Sequence, residues 1–314
     1  LNSIKDILLP YLEKRIITSM IMGFVSGLPL LLTITLLQAW LTDEEVSKST
    51  IGLFALIGLP YSLKFLWAPI FDRYIISRLG RRRGWLLIIQ IMLIISIFAL
   101  GQSNPEINLF NVAILSLALT FFSASQDILI DAYRRESLAE KEQTIGASAY
   151  VLGYRIGALA AGAGGLILAD IYSYAFVYTL MSLIMLLGVL TTIMSDEPKV
   201  EIRPYNLKES IVEPFKEFFS RYQDSGSNLK NYTPYLILLF VLLYKVGDTM
   251  AHSLSTNFYL DIGFSKTEIG TVVKFFGLGA TLLGAFIGGA LSLKIGLFKS
   301  LIIFGIFQLV ATLG

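Results

Sequence analysis

Nine apolar stretches, each near the length of a bilayer crossing, decide what this chain can fold into. They run at about 16–41, 50–71, 84–103, 109–130, 144–169, 173–194, 234–259, 268–293 and 300–314. An α-helix rises 1.5 Å per residue, so roughly 20 residues cross a ~30 Å hydrocarbon core. In lipid the backbone must satisfy its own hydrogen bonds, and segments of this kind do so as helices. The chain is 55% hydrophobic and 15% charged, against about 45–50% and about 25% in soluble domains. The expectation is an all-α, multi-pass integral membrane protein.

The first block spans Ile16 to Leu41 with no A-x-A site behind it. A cleaved signal has a core of only ~7–15 apolar residues, so this block is read as a retained first span. The ninth block is short for a crossing and reaches Gly314 without a polar flank. That pattern leads to the expectation of a C-terminally truncated or split product.

Several chemistries are excluded at this stage. There is no cysteine, which removes disulfides, thiolate nucleophiles and cysteine-ligated zinc. His252 is the sole histidine, so no histidine-rich metal site is expected, and no metal or other cofactor is called for. The chain has no G-x-x-x-x-G-K-[ST] phosphate loop. Its basic residues sit in short loops between spans, which gives nucleic-acid binding no support.

Those basic residues set the orientation. With the N-terminus inside, the inner segments hold nineteen, from Lys5, Lys14 and Arg15 to Lys294 and Lys299, while the outer loops hold only Lys48 and Lys266. Positive charge retained in short loops marks the cytoplasmic side. The reading is a multi-pass membrane protein with a cytoplasmic N-terminus.

Six spans precede a long charged connection, 195–233, in which Leu207 to Tyr222 reads as an interfacial amphipathic helix interrupted by Pro214. The expected division is therefore a six-helix bundle over 1–194, a cytoplasmic linker over 195–233, and a partial second bundle over 234–314. A repeat agrees with it. Asp43-x-x-x-Ser47-Lys48-x-x-Ile51-Gly52 enters the second block, and Asp261-x-x-x-Ser265-Lys266-x-x-Ile269-Gly270 enters the eighth. Parallel halves of this kind are a known transporter design.

Charges inside the apolar blocks point the same way. Lys64, Asp127, Arg155, Lys245 and Asp248 are embedded in them. Each such charge costs a few kcal/mol on insertion scales, and chains that keep several usually line a polar path with them. Arg155 lies about 11 residues into the fifth block, near the midplane, where snorkelling is difficult. A guanidinium facing a central cavity there can bind carboxylate or sugar oxygens bidentately, and pairing with Asp127 or Asp131 is the alternative. Lys245, Asp248 and His252 follow at i, i+3 and i+7, on one face of the seventh block. A line of titratable groups serves proton relays, although a structural salt bridge has the same spacing.

The ordered motifs GFVSGLPL (Gly23–Leu30), LQAWL (Leu37–Leu41), KFLWAP (Lys64–Pro69), GRRRGW (Gly80–Trp85), SASQDI (Ser123–Ile128) and LGYRIG (Leu152–Gly157) resemble those of AmpG-type muropeptide permeases of the major facilitator superfamily. The resemblance is close over about 20–170 and looser to about 300. It implies a twelve-helix fold of two six-helix bundles, of which this chain holds about nine spans. It also implies a bacterial inner membrane, and proton-driven import across it of anhydro-muropeptides, the sugar–peptide fragments of recycled cell wall, from periplasm to cytoplasm.

On this resemblance Asp72 and Arg73, followed by Gly80–Arg83, form a cytoplasmic loop motif able to latch helices in one gate state. Lys64 and Asp127 lie at similar depth on helices that neighbour each other in the resembled fold, and are expected to pair, as a gate or as a static bond. Gln126, Gln38, Ser123, Ser125 and Tyr154 are candidate substrate hydrogen-bonders, with Trp40 and Trp67 as stacking faces for sugar rings. Ser26–Pro29 is expected to bend the first span. Gly153-x-x-x-Gly157 and Gly284-x-x-x-Gly288 are expected to face each other across the bundle interface, with dimerisation as the alternative, although a monomer is expected. A second polypeptide completing the fold stays open as a partner. Other readings are a carrier of another anionic solute such as acetyl-CoA, a transport-incompetent fragment, or an intramembrane enzyme. The lack of a cysteine nucleophile argues against the last.

Overall fold

The computed structural model describes residues 9–76, 79–198, 216–220, 234–240, 243, 263 and 276–313. Six helices in it are long and apolar enough to cross a membrane: α1 (Lys14–Asp43), α2 (Ser49–Leu66), α3 (Arg81–Gly101), α4 (Leu109–Ser137), α5 (Glu140–Ala169) and α6 (Tyr174–Met194). They coincide with the first six apolar blocks. Two further helices, α7 (Gly277–Ile295) and α8 (Leu297–Leu313), follow from the eighth and ninth. The line Lys245, Asp248 and His252, the second copy of the repeat and most of the expected amphipathic helix lie outside the described residues.

The helix α1 is the central post. It packs on α4, α5 and α6, while α3 joins α4 to α6 and α2 leans on α4. Leu28, Leu32, Leu36, Leu93, Leu119 and Tyr178 fill the core between them. The tightest seam is α1 on α5, and glycine is its cause. A Cβ on Gly23 or Gly27 would collide with the backbone carbonyls of Tyr150 and Tyr154, and one on Gly153 or Gly157 with those of Met20 and Phe24. Small residues let helix backbones touch in lipid, where hydrophobic burial supplies no drive for association. This corrects one expectation. Gly153 and Gly157 mesh with α1, not with α7, where among the described residues a Cβ on Gly284 would meet nothing within 4 Å and one on Gly288 only the Phe304 ring at 3.8 Å.

Proline shapes two of the spans. In α1 the helix runs through Pro29, and the departure from α geometry follows it, as a π-turn over Leu32–Leu36. The carbonyl of Leu32 accepts the Tyr178 hydroxyl at 2.8 Å. Gly27 serves close approach to α5 as well as this bend. The helix α2 alternates α and 3-10 turns around Gly58 and Pro60, and a short helix with Pro69 near its start, Ala68–Arg73, completes it. Pro60 and Pro69 stand in the first turn of their short helices, where proline is tolerated, whereas Pro29 lies inside its helix and removes one intrahelical donor.

Candidate functional site

Four helices bring polar groups to one point among apolar side chains. Lys64, on a 3-10 turn of α2, places its Nζ 3.6 Å from Asp127 Oδ2 on α4. Ser26 of α1 donates to Asp127 Oδ1 at 2.5 Å, and its oxygen lies 2.9 Å from the Tyr150 hydroxyl of α5. A serine hydroxyl has one proton. With that proton on the carboxylate, Tyr150 must be the donor to Ser26, and a wire runs Tyr150 to Ser26 to Asp127.

The ion pair is looser than a direct hydrogen bond, which needs about 2.7–3.2 Å. The Lys64 side chain is 36% exposed and that of Asp127 14%. The carboxylate is thus enclosed while its cation reaches outward. Chemically, the arrangement can hold Asp127 charged against Lys64, or neutral with Lys64 released, and hydrogen-bond partners exist for both forms.

Around this point α2 is fixed to α4 by two further bonds. Tyr61 donates to Ser123 Oγ at 2.9 Å, and Trp67 Nε1 to Ser125 Oγ at 3.0 Å. Ser123 is buried in this helix contact, and Trp67 is tilted against Phe121 at 4.9 Å. Gln126 likewise takes part in a contact between helices. It is fully buried, and its Nε2 donates to the Val25 carbonyl at 3.1 Å. Pro29 has no N–H to offer that carbonyl four residues back, and Gln126 supplies the missing donor from the neighbouring helix.

Trp40 is also packed within the bundle. It is buried between Tyr174 and Tyr178, with ring centroids 5.3 and 5.7 Å away, and its Nε1 donates to Glu44 at 3.1 Å. No face of it is left for a sugar. Gln38 and Arg155 are exposed, and Tyr154 is half-buried beside Tyr150, with rings 6.3 Å apart. Arg155 stands seven residues beyond Ser148, on the side of α5 that meets α7, since i and i+7 share a helix face. It pairs with neither Asp127 nor Asp131. The first is held by Lys64, the second by Arg134 at 3.3 Å.

A second charged group lies where α3 and α5 begin and α4 and α6 end, hereafter the basic end. Arg82 reaches Asp72 at 2.7 Å and grips Glu136 of α4 through Nε at 3.1 and 3.0 Å and through Nη2, while Arg81 adds a bond to Glu136 at 2.9 Å. Arg73 instead lies over the Tyr74 ring, 5.9 Å from its centroid. Two helix ends are capped reciprocally here. Glu197 accepts the first backbone N–H groups of α3, from Arg82 and Arg83, at 2.8 and 3.0 Å, and Arg83 donates to the last carbonyls of α6, Thr192 at 2.9 Å and Ile193 at 2.6 Å. Each charge faces the helix terminus of opposite dipole sign. Gly80, at φ 106°, leaves the space that Glu197 fills.

Sequence reading missed Ser26, Tyr150, Glu136 and Glu197 as partners. Ser26 was legible inside GFVSGLPL as the one hydroxyl of that motif, and Tyr150 as the residue one turn before Tyr154. Glu136 was an acid directly after two arginines. Nothing local marked Glu197.

Comparison with known proteins gives the frame for these groups. The family description Major Facilitator Superfamily matches residues 18–314. The anhydromuropeptide permease of Escherichia coli K12 is 42% identical over 94% of this chain and 59% of its own length. The putative transporter AmpG 4 of Rickettsia felis is 34% identical over 94% of this chain and 72% of its own. The chain thus spans about three fifths of the E. coli relative. These relatives are permeases and transporters, which sets the intramembrane-enzyme reading aside. This chain belongs to the major facilitator superfamily and, within it, to the AmpG-type transporters.

Proposed function

We propose that this chain acts in the import of anhydro-muropeptides across the bacterial inner membrane by alternating access, driven by protons that load and leave Asp127. The observation that carries the reading is the cluster of Lys64, Asp127, Ser26 and Tyr150, in which a membrane-embedded carboxylate has partners for its charged and its neutral form. Protonation of Asp127 would release Lys64 and loosen α2 from α4. The name of the E. coli relative supports the substrate class. In this reading the basic end faces the cytoplasm, residues 1–194 form one bundle and residues 234–314 belong to the other, and the protein works as a monomer. Arg155, Gln38 and Tyr154 remain the residues placed to meet a carboxylate-bearing sugar, because they are not consumed by the packing that claims Gln126, Ser123 and Trp40. Lys245 and Asp248 would serve the second bundle as a further proton site.

The test is uptake of labelled N-acetylglucosaminyl-anhydro-N-acetylmuramic acid by vesicles, with and without an uncoupler. It is made for this chain alone and for the chain joined to the remaining length of the E. coli permease. Uncoupler-sensitive uptake that Arg155→Ala abolishes is the expected result. Absence of uptake from both forms, or uptake indifferent to the uncoupler, sinks the substrate or the coupling respectively. The same vesicles offered acetyl-CoA would then identify a carrier of another anion.

A further inference from the structure

The first described residues do more than lead into α1. Leu9–Leu12 forms a 3-10 turn packed on α1 and α5, and from it Tyr11 reaches α7. Its hydroxyl donates to the Phe286 carbonyl at 2.9 Å, and its ring stacks on Phe286 with centroids 4.6 Å apart and planes at 28°. One turn along α7, Gly289 is buried against the same hydroxyl and against Ser148 of α5. A Cβ there would collide with Ser148 and stand 2.7 Å from Tyr11 Oη. Phe286 and Gly289 are three residues apart and share a helix face.

Three elements therefore meet at the basic end through one tyrosine. A helix carbonyl has a second lone pair beyond its intrahelical bond, and Tyr11 takes that of Phe286 without disturbing the ladder. Burial pushes the Tyr11 hydroxyl up to about 12, so it keeps its proton and stays a donor throughout the physiological range. The Arg15–Glu142 pair, at 3.9 Å, ties the start of α1 to that of α5 just beside the turn. The turn is thus held to α1 and α5, and its tip is bonded to α7.

We infer that the turn Leu9–Leu12 is a strap that holds the cleft between α5 and α7 shut at the basic end, with Tyr11 as its fastening residue and Gly289 as the position whose missing side chain lets it close. The consequence for transport rests on the alternating-access reading above. Opening toward the basic end must break the Tyr11 hydrogen bond and unstack the two rings together, and the strap sets how often that happens.

The chain has no cysteine, so Ser148→Cys places a single thiol inside the closed seam. The measurement is the rate at which a membrane-impermeant maleimide labels it in lipid nanodiscs, where both faces are accessible. Tyr11→Phe keeps the stack and loses the hydrogen bond, and labelling is expected to quicken about threefold, the range of one neutral hydrogen bond. Tyr11→Ala loses both contacts and should quicken it about tenfold or more. Gly289→Ala, which props the seam, should match Tyr11→Ala. Thr144→Cys, one turn away on the same side of α5, repeats the series should Ser148→Cys disturb folding. Equal rates across the Tyr11 series at both reporter positions would overturn the strap. Because labelling needs no solute, a strap that behaves as expected in a chain that transports nothing would refute only the transport reading.

Discussion

Of the three carboxylates on helix α4, Asp127 and Glu136 stand nine residues apart, and their surroundings differ in kind. Glu136 is gripped by two guanidinium groups at several short contacts, and the Arg82 side chain among them is only 5% exposed. Asp127 has one ammonium at 3.6 Å and one serine hydroxyl. Guanidinium is planar, forked and always protonated, so it holds a carboxylate in one geometry, whereas lysine is a mobile point charge. The difference teaches where the helix is anchored and where it is adjustable. About 13 Å along α4, at 1.5 Å per residue, the wiring passes from a redundant clamp to a single exchangeable pair.

The comparison breaks most decisively at Asp127. Asp127→Asn should abolish uncoupler-sensitive uptake while lowering stability far less than Glu136→Ala does, because Asn keeps the side chain's shape and the partly exposed Lys64 can turn outward when its partner is neutral. Purified variant and parent would be compared by thermal unfolding in detergent alongside vesicle uptake. Equal loss of both would make the cluster a structural bond and erase the contrast with Glu136.

Glu136→Ala should do the reverse. It leaves Arg82 in a poorly solvated site with Asp72 as its acidic partner, and Arg81 with a bond to the Asp72 backbone carbonyl in place of a carboxylate. Removing one member of a buried pair costs about 3–5 kcal/mol. The expected outcome is a much lower unfolding midpoint, with transport falling only as far as the amount of folded protein does. A midpoint near that of the parent would show that the clamp is as adjustable as the pair above it.

A smaller effect is expected at Gln126, the neighbour of Asp127 on the same helix. Gln126→Leu strips the Val25 carbonyl of its donor, at about 1–3 kcal/mol for an unsatisfied buried group. Pro29→Ala restores an N–H four residues ahead of that carbonyl. In the Pro29→Ala background, Gln126→Leu should therefore cost distinctly less, a coupling that a double-mutant cycle reads directly. Additive costs would mean that Gln126 works through something other than the Val25 carbonyl.

The first six spans were legible in the sequence because the rise of a helix converts residue count into depth, and the Lys64–Asp127 pairing because equal depth was joined to helix neighbours taken from the resembled family. The glycine seam was legible only in part. Gly153-x-x-x-Gly157 announced a close helix contact, but spacing on one helix does not name the partner, and α1 offered matching glycines at Gly23 and Gly27. The bond from Gln126 to Val25 was not foreseen because it answers a proline on another helix. The helix contacts of Trp40 and Ser123 were not foreseen because aromatic and hydroxyl side chains suit a solute and a helix contact equally well in one dimension. Glu197 was invisible because its target is the backbone of α3, which has no sequence signature.

The finest test of the contrast separates the two hydroxyls that serve Asp127. Ser26 touches the carboxylate, and Tyr150 touches only Ser26. If they act independently, Ser26→Ala removes a bond to a charged group, about 1.5–3 kcal/mol, and Tyr150→Phe removes a neutral one, about 0.5–1.5 kcal/mol. If they act as a wire, Tyr150 orients the serine proton toward Asp127, and its loss frees Ser26 to turn away. Uptake at limiting solute concentration distinguishes the two cases. A wire makes Tyr150→Phe nearly as damaging as Ser26→Ala, and the double variant no worse than Ser26→Ala alone. Independent bonds make Tyr150→Phe mild and the double variant additive. The wire is the expected outcome, since the serine has a single proton to give and the tyrosine is the group that fixes its direction.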